Sequence, residues 1–147
     1  DQLPFTSNLL LITSSPHSPL SIIIFPLIST MPLLTATPIL AFLDTDETVA
    51  FYSKFGFDCN ASWKGYIMCE RDSISIHLWQ CDDPSIPKNT GCYVYVNEIE
   101  ALYKECEDLN IVHPNGKLEQ KPWGLKQFSI LDNSGNIIHF GQRPEQN

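Results

Sequence analysis

Residues 38–80 read PILAFLDTDETVAFYSKFGFDCNASWKGYIMCERDSISIHLWQ, and how this stretch divides decides the fold. The apolar run after Pro38 suits a short buried strand over Pro38–Leu43. Asp44 offers an oxygen to cap a helix, with Glu47 three residues on at the second position of a capping box. The helix runs to about Phe55. Gly56 supplies a left-handed stop, and Phe57 can fold back on the last turn. Three strands are predicted next, over Phe57–Ser62, Gly65–Glu70 and Ile74–Gln80, with Arg71-Asp72-Ser73 as a tight turn. In the last of them Ile74, Ile76 and Leu78 alternate with Ser75, His77 and Trp79, so one face is apolar.

The same order recurs downstream. Cys92–Val96 reads as a strand, and Asn97 with Glu100 as a second capping box. Ile99, Leu102, Tyr103, Cys106 and Leu109 form one helical face, and Asn110 can end the helix. Strands follow near Lys117–Gln120, Lys126–Leu131 and Asn136–Gln142, with Asn133-Ser134-Gly135 as the hairpin turn. A strand–helix–three-strand module that occurs twice leaves each copy with a bare sheet face, so the two must pack together. The expected class is α+β: two paired βαβββ modules, about 34–82 and 90–143, forming a cupped mixed sheet. Strand residues that alternate away from the helices would line the cup.

The remainder of the 147-residue sequence sets bounds. Nine basic against 17 acidic side chains give a formal charge of −8. Such a balance argues against nucleic acid as a partner and suits a cationic ligand as well as a solvated acidic surface. Five cysteines, an odd number with no CxxC pair, argue against a disulfide framework or a zinc knuckle and point to a reducing cytoplasm. Residues 1–30 lack Lys and Arg and are rich in Ser, Thr and Pro. Pro4, Pro16, Pro19 and Pro26 break any membrane-spanning helix, and no positive stretch precedes an apolar one as in a secretory signal. The expectation is that Met31 is the start and residues 1–30 are a non-native or disordered leader, with the domain over 31–147. Neither glycine-rich nucleotide-binding signature occurs, nor a Ser-His-Asp or Cys-His set at recognisable spacing.

Two segments carry a specific resemblance. TPILAFLDTDETVAFYSKFGF (Thr37–Phe57) and QKPWGLKQFSILDNSGNIIHFGQ (Gln120–Gln142) are similar to the opening strand and helix, and to the PWG and D-x-x-G-N stretch, of the bleomycin-resistance branch of the glyoxalase/bleomycin-resistance/extradiol-dioxygenase superfamily (the vicinal oxygen chelate superfamily). Metal-dependent members of that superfamily place ligands at positions that fall here on Thr37, His77, Gly91 and His139. Thr37 is a poor ligand, Gly91 has no side chain, and two imidazoles without a third protein ligand hold Zn²⁺ or Fe²⁺ weakly. No metal, cofactor or catalytic residue is therefore expected. A metal-dependent lyase, isomerase or thiol transferase of the same fold, or a binder of another small molecule, is the alternative.

The resemblance implies a binding protein that sequesters bleomycin-type drugs in grooves at a homodimer interface. Flat rings call for aromatic faces and a cationic tail for negative charge. Trp123 and Gly124 of the PWG segment stand at the branch's stacking tryptophan, and Tyr66 at its opposing aromatic, with Trp63 as a rival. Tyr93 aligns with a fifth-strand aromatic, and Tyr95 shares its side by alternation. Trp79 shares a side with His77, and His77 and His139 are either satisfied strand residues or cup-lining groups. Asp82, Asp83 and Glu119 are the candidate carboxylates. Pro38 resembles the hinge from which family members exchange their N-terminal strand.

Overall fold

A computed structural model describes residues 34–144; the reading of residues 1–30 as a leader lies outside them. Eight strands and two helices follow in chain order: β1 (Ile39–Phe42), α1 (Thr45–Lys54), β2 (Asp58–Trp63), β3 (Tyr66–Arg71), β4 (Ile74–Gln80), β5 (Gly91–Tyr95), α2 (Ile99–Asp108), β6 (Glu119–Gln120), β7 (Lys126–Leu131) and β8 (Ile137–Gln142). The strands form two four-stranded sheets, ordered β1-β4-β3-β2 and β5-β8-β7-β6. In each, the first and last strands of the module pair in parallel and the others are antiparallel. The repeat read from the sequence is thus repeated in topology, as two mixed sheets rather than one.

The first module follows its local signals. Asp44 is extended and its Oδ1 accepts the Glu47 N–H at 2.9 Å, satisfying one of the helix's free donors. Gly56 is left-handed, and the Phe57 and Gly56 amides donate back to the Tyr52 and Ser53 carbonyls, the paired hydrogen bonds of a Schellman stop. Asn110 closes α2 the same way, with Ile111 and Asn110 donating to the Cys106 and Glu107 carbonyls.

The start of α2 departs from expectation. Asn97 does not cap it. Glu98 holds the cap position in the left-handed region, with no side-chain cap bond of its own. The Ile99 amide instead donates to Gln142 Oε1 at 2.8 Å. A side chain from the far end of the module replaces the local cap, so α2 is tied directly to β8.

One buried core joins both modules, with Phe42, Tyr52, Phe55, Ile67 and Leu78 from the first and Ile99, Phe128, Ile130, Ile138 and Phe140 from the second. Burying side chains of this size stabilises by about 1.5–3 kcal/mol each. The turn Asp132–Asn136 fixes the modules to one another. Asp132 Oδ1 accepts the Ser134, Gly135 and Asn136 amides at 2.8–3.0 Å. Its Oδ2 accepts Asn136 Nδ2 at 2.6 Å and the Tyr52 hydroxyl of α1 at 3.0 Å. Asn136 Nδ2 also donates to the Ala41 carbonyl, and Asn133 Nδ2 to Thr48 Oγ1. A second tie is Arg71, whose guanidinium makes two 2.9 Å hydrogen bonds to the Glu105 carboxylate on α2 and lies over the Phe55 ring.

The reading that the cysteines argue against disulfides is corrected at one pair. Cys59 and Cys69 form a disulfide between β2 and β3, while Cys81, Cys92 and Cys106 are free. Both bonded residues read as strand interior in sequence. Their pairing follows from hairpin register, which sets them directly opposite one another.

Candidate functional site

The outer sheet faces, turned away from the core, hold the candidate residues. On β3 and β4, Ile67, Cys69, Ile76 and Leu78 are buried while Tyr66, Met68, His77 and Trp79 alternate outward. On β5, β7 and β8 the outward set is Tyr93, Tyr95, Gln127, Ser129, His139 and Gly141, by the same period of two.

Each module centres on one histidine. In the first, the Tyr66 hydroxyl lies 2.9 Å from His77 Nδ1, with the rings edge to face. In the second, the Ser129 hydroxyl lies 2.7 Å from His139 Nδ1. Both histidines sit in the last strand of their module, and each bonds a hydroxyl from the antiparallel neighbour. Such a bond fixes the ring and leaves Nε2 unengaged by it. Burial, then the nearby Lys121 and His113, push the His139 pKa below its ordinary value. Tyr93 of β5 pairs with His139 across the β5–β8 ladder, and its hydroxyl donates to Gln127 Oε1 at 3.1 Å. Gly141 makes room for that phenol: a Cβ there would stand 2.0 Å from Tyr93 Oη.

Trp123 lies in the turn after β6 and is 64% exposed; Trp63, at the β2–β3 turn, is 55% exposed. Trp79, Tyr93 and Tyr95 are also exposed. Among the described residues these rings leave large aromatic surface in water, the kind of surface a flat ligand can cover. Gly124 takes φ +91 with open space beside it, so the PWG turn needs glycine for its backbone, not for room.

Residues missed from the sequence complete the second face. The Lys121 ammonium stands 5.9 Å from the Trp123 ring centroid and pairs with Glu119. The Arg143 guanidinium stands 4.5 Å from the Tyr95 ring. Both aromatics therefore already face a cation of their own chain. Lys121 was discoverable two residues before the tryptophan; Ser129 was discoverable as the cross-strand partner of His139.

The candidate residues divide between the two sheets. The ring pairs and hydrogen bonds among the described candidates fall within one module or the other, Tyr66 with His77, and Tyr93 with Tyr95 and His139. A concavity of about 470 Å³ lies instead between the modules' inner faces, bounded by Phe55, Arg71, Val94, Leu102, Glu105 and Phe140. Of the candidate aromatics only Tyr95 reaches its lining. Asp82 and Asp83 follow β4 and are exposed, and Glu119 is engaged by Lys121. His77 and His139 stand on different sheets, and among the described residues no group of three or more His, Cys, Asp or Glu is placed to hold a metal ion.

The sequence profile described as "Glyoxalase superfamily protein" matches residues 28–147. The chain belongs to the glyoxalase superfamily. This superfamily member is 26% identical over 129 residues to a bleomycin resistance protein of Geobacillus stearothermophilus, across 76% of this chain and 98% of the relative. Its fold is similar to that of a bleomycin resistance determinant encoded on transposon Tn5, with a TM-score of 0.69 at 21% identity over 77% of this chain and 100% of that one. It is likewise similar to the bleomycin-binding protein from bleomycin-producing Streptomyces verticillus complexed with copper(II)-bleomycin, with a TM-score of 0.66 at 23% identity over 78% of this chain and 98% of that one. These likenesses establish the two-module fold of the glyoxalase-superfamily chain. Among the described residues no helix is long and apolar enough to cross a membrane.

Proposed function

We propose that the protein binds bleomycin-type glycopeptides and confers resistance by stoichiometric sequestration, without catalysis. The observation that carries the reading is Trp123, an indole mostly in solvent on a turn shaped by Pro122 and Gly124, whose neighbour Lys121 also acts on Tyr93 and His139. A flat heteroaromatic guest gains about 0.5–1.5 kcal/mol per aromatic pair beyond buried area. The relatives' names point the same way.

Each chain offers two half-sites on separate faces, so a closed cleft requires a second copy. The proposed assembly is a homodimer in which the segment before Pro38 passes to the partner, setting Tyr66, Trp63, Trp79 and His77 of one chain against Trp123, Tyr93 and His139 of the other. Capture before the drug reaches DNA places the protein in the cytoplasm. No chemistry is needed, only affinity: a Kd of about 100 nM corresponds to roughly −9.5 kcal/mol.

The test is titration of the full chain with bleomycin while following tryptophan fluorescence. Saturable quenching at about one drug per chain, lost in Trp123→Ala, is expected. An unchanged signal at drug concentrations of about 50 μM, where a ligand with Kd near 100 nM would be saturated, overturns the reading.

A further inference from the structure

The Cys59–Cys69 bond lies within the hairpin that bears Trp63 and Tyr66, and no part of the binding account uses it. Cys59 on β2 and Cys69 on β3 are direct partners in the antiparallel ladder, with Cα atoms 4.1 Å apart. That spacing belongs to the pairs that exchange no backbone hydrogen bonds, where side chains approach most closely. Cys69 is fully buried in the core; Cys59 is half-buried against it.

β2 has few anchors besides its ladder with β3 and its packing on α1. It is the edge strand of its sheet, with β3 as its one strand neighbour, and every residue of it except Cys59 is exposed. Its ladder with β3 slips between Asn60 and Trp63. Beyond that slip lie Trp63 and Tyr66, and Tyr66 carries the hydrogen bond to His77. An edge strand with a short, interrupted ladder and little buried apolar surface opens at low free-energy cost. A covalent link at its middle removes that freedom.

We propose that Cys59–Cys69 is a reversible thiol–disulfide modification site whose oxidised form orders the ligand-facing β2–β3 hairpin. The co-reactant is a small dithiol. One of its thiolates attacks Cys59 Sγ, the half-buried sulfur. The S–S bond breaks, and its electron pair goes to Cys69 Sγ, which takes up a proton. The second thiol of the reductant then displaces Cys59 as thiolate, which is protonated in turn. The reductant leaves as its disulfide, and two electrons and two protons have entered the protein. Oxidation by the disulfide form of the same reagent is the reverse. The remaining thiols do not interfere: burial pushes Cys92 up to about 11 and Cys106 up to about 12, so neither offers a thiolate to reshuffle the bond, and Cys81 is buried. The consequence for drug binding rests on the function proposed above; the ordering of β2 does not.

The test equilibrates the full chain in mixtures of reduced and oxidised dithiothreitol. Cysteines are counted by alkylation and mass, and amide hydrogen exchange is followed in β2. The expected result is three alkylated cysteines in the oxidised form and five after reduction, reversibly. Exchange at 58–63 should rise about tenfold on reduction while β7 and β8 are unchanged. Cys59→Ser, which spares the buried partner, should exchange like the reduced protein and ignore dithiothreitol. Bleomycin affinity should fall about tenfold in the reduced form, as expected when preorganisation is lost. Five alkylated cysteines at every ratio, or β2 exchange indifferent to reduction, overturns the proposal. Redox-dependent exchange with bleomycin bound in neither state supports the staple and sinks the drug-binding reading alone.

Discussion

The Lys121 ammonium stands over the Trp123 indole, 5.9 Å from its centroid, while its charge is paired with Glu119. The chain thus sets its own cation beside its most exposed tryptophan. If the proposed function holds, a guest with a cationic tail would displace that ammonium and free Glu119 to receive the tail.

Lys121 is accordingly a competitor for a cationic guest. Lys121→Gln should tighten bleomycin binding about threefold, the equivalent of an exposed cation–π contact of ~0.7 kcal/mol. Fluorescence titration of the variant reads this directly. Weaker binding would mean that the lysine is an anchor and the guest's contacting group is anionic.

The pH dependence follows from His139. Burial and Lys121 depress its pKa, so the ring is neutral at neutral pH. Protonation comes only as pH falls through a value below about 6.5, and it adds a positive charge beside Lys121. Affinity for a cationic drug should be flat above about pH 6.5 and decline below it, and His139→Gln should abolish the decline. Stability has the same sign: a base with a depressed folded-state pKa contributes above its unfolded pKa and loses that contribution toward acid. Titrations at several pH values check the first claim, and affinity rising toward acid would refute it.

Asp132 anchors the modules. Burial pushes its carboxyl up, against the five hydrogen bonds that favour the ion. Asp132→Ala leaves the Tyr52 hydroxyl and the Ser134 and Asn136 amides without their acceptor and should cost about 3–5 kcal/mol, whereas Tyr52→Phe should cost about 1 kcal/mol. Urea denaturation measures both. Equal costs would show that the turn is not the hub of the network.

Light scattering tests the assembly. The full chain should run as a dimer at micromolar concentration, and Pro38→Gly, which frees the hinge backbone, should shift it toward monomer and weaken drug binding in parallel. A monomer that binds drug with undiminished affinity would refute the two-copy cleft.

What was legible in the sequence was local. The Asp44 cap, the Gly56 and Asn110 stops and the alternation around His77 each rest on neighbours within a few residues, and all stand in the structure. What escaped were contacts made across the fold. The α2 cap comes from Gln142, forty-three positions away, so nothing near Asn97 could reveal it. The disulfide depends on a hairpin register that changes at a slip in the ladder between Asn60 and Trp63. The candidate aromatics were identified one by one, and the repeat already assigned Tyr66 and Trp123 to different modules; what it did not show were the side-chain partners, Lys121 at Trp123 and Ser129 at His139.

The knot around Asp132 gives the repeat a hierarchy. The turn belongs to the second module, yet its partners Ala41, Thr48 and Tyr52 belong to the first. A gene cut between β4 and β5 would yield one half with a naked carboxylate and another with an unanswered tyrosine. Neither fragment inherits a complete interior, so the two modules should fold as one cooperative unit and not as separable halves.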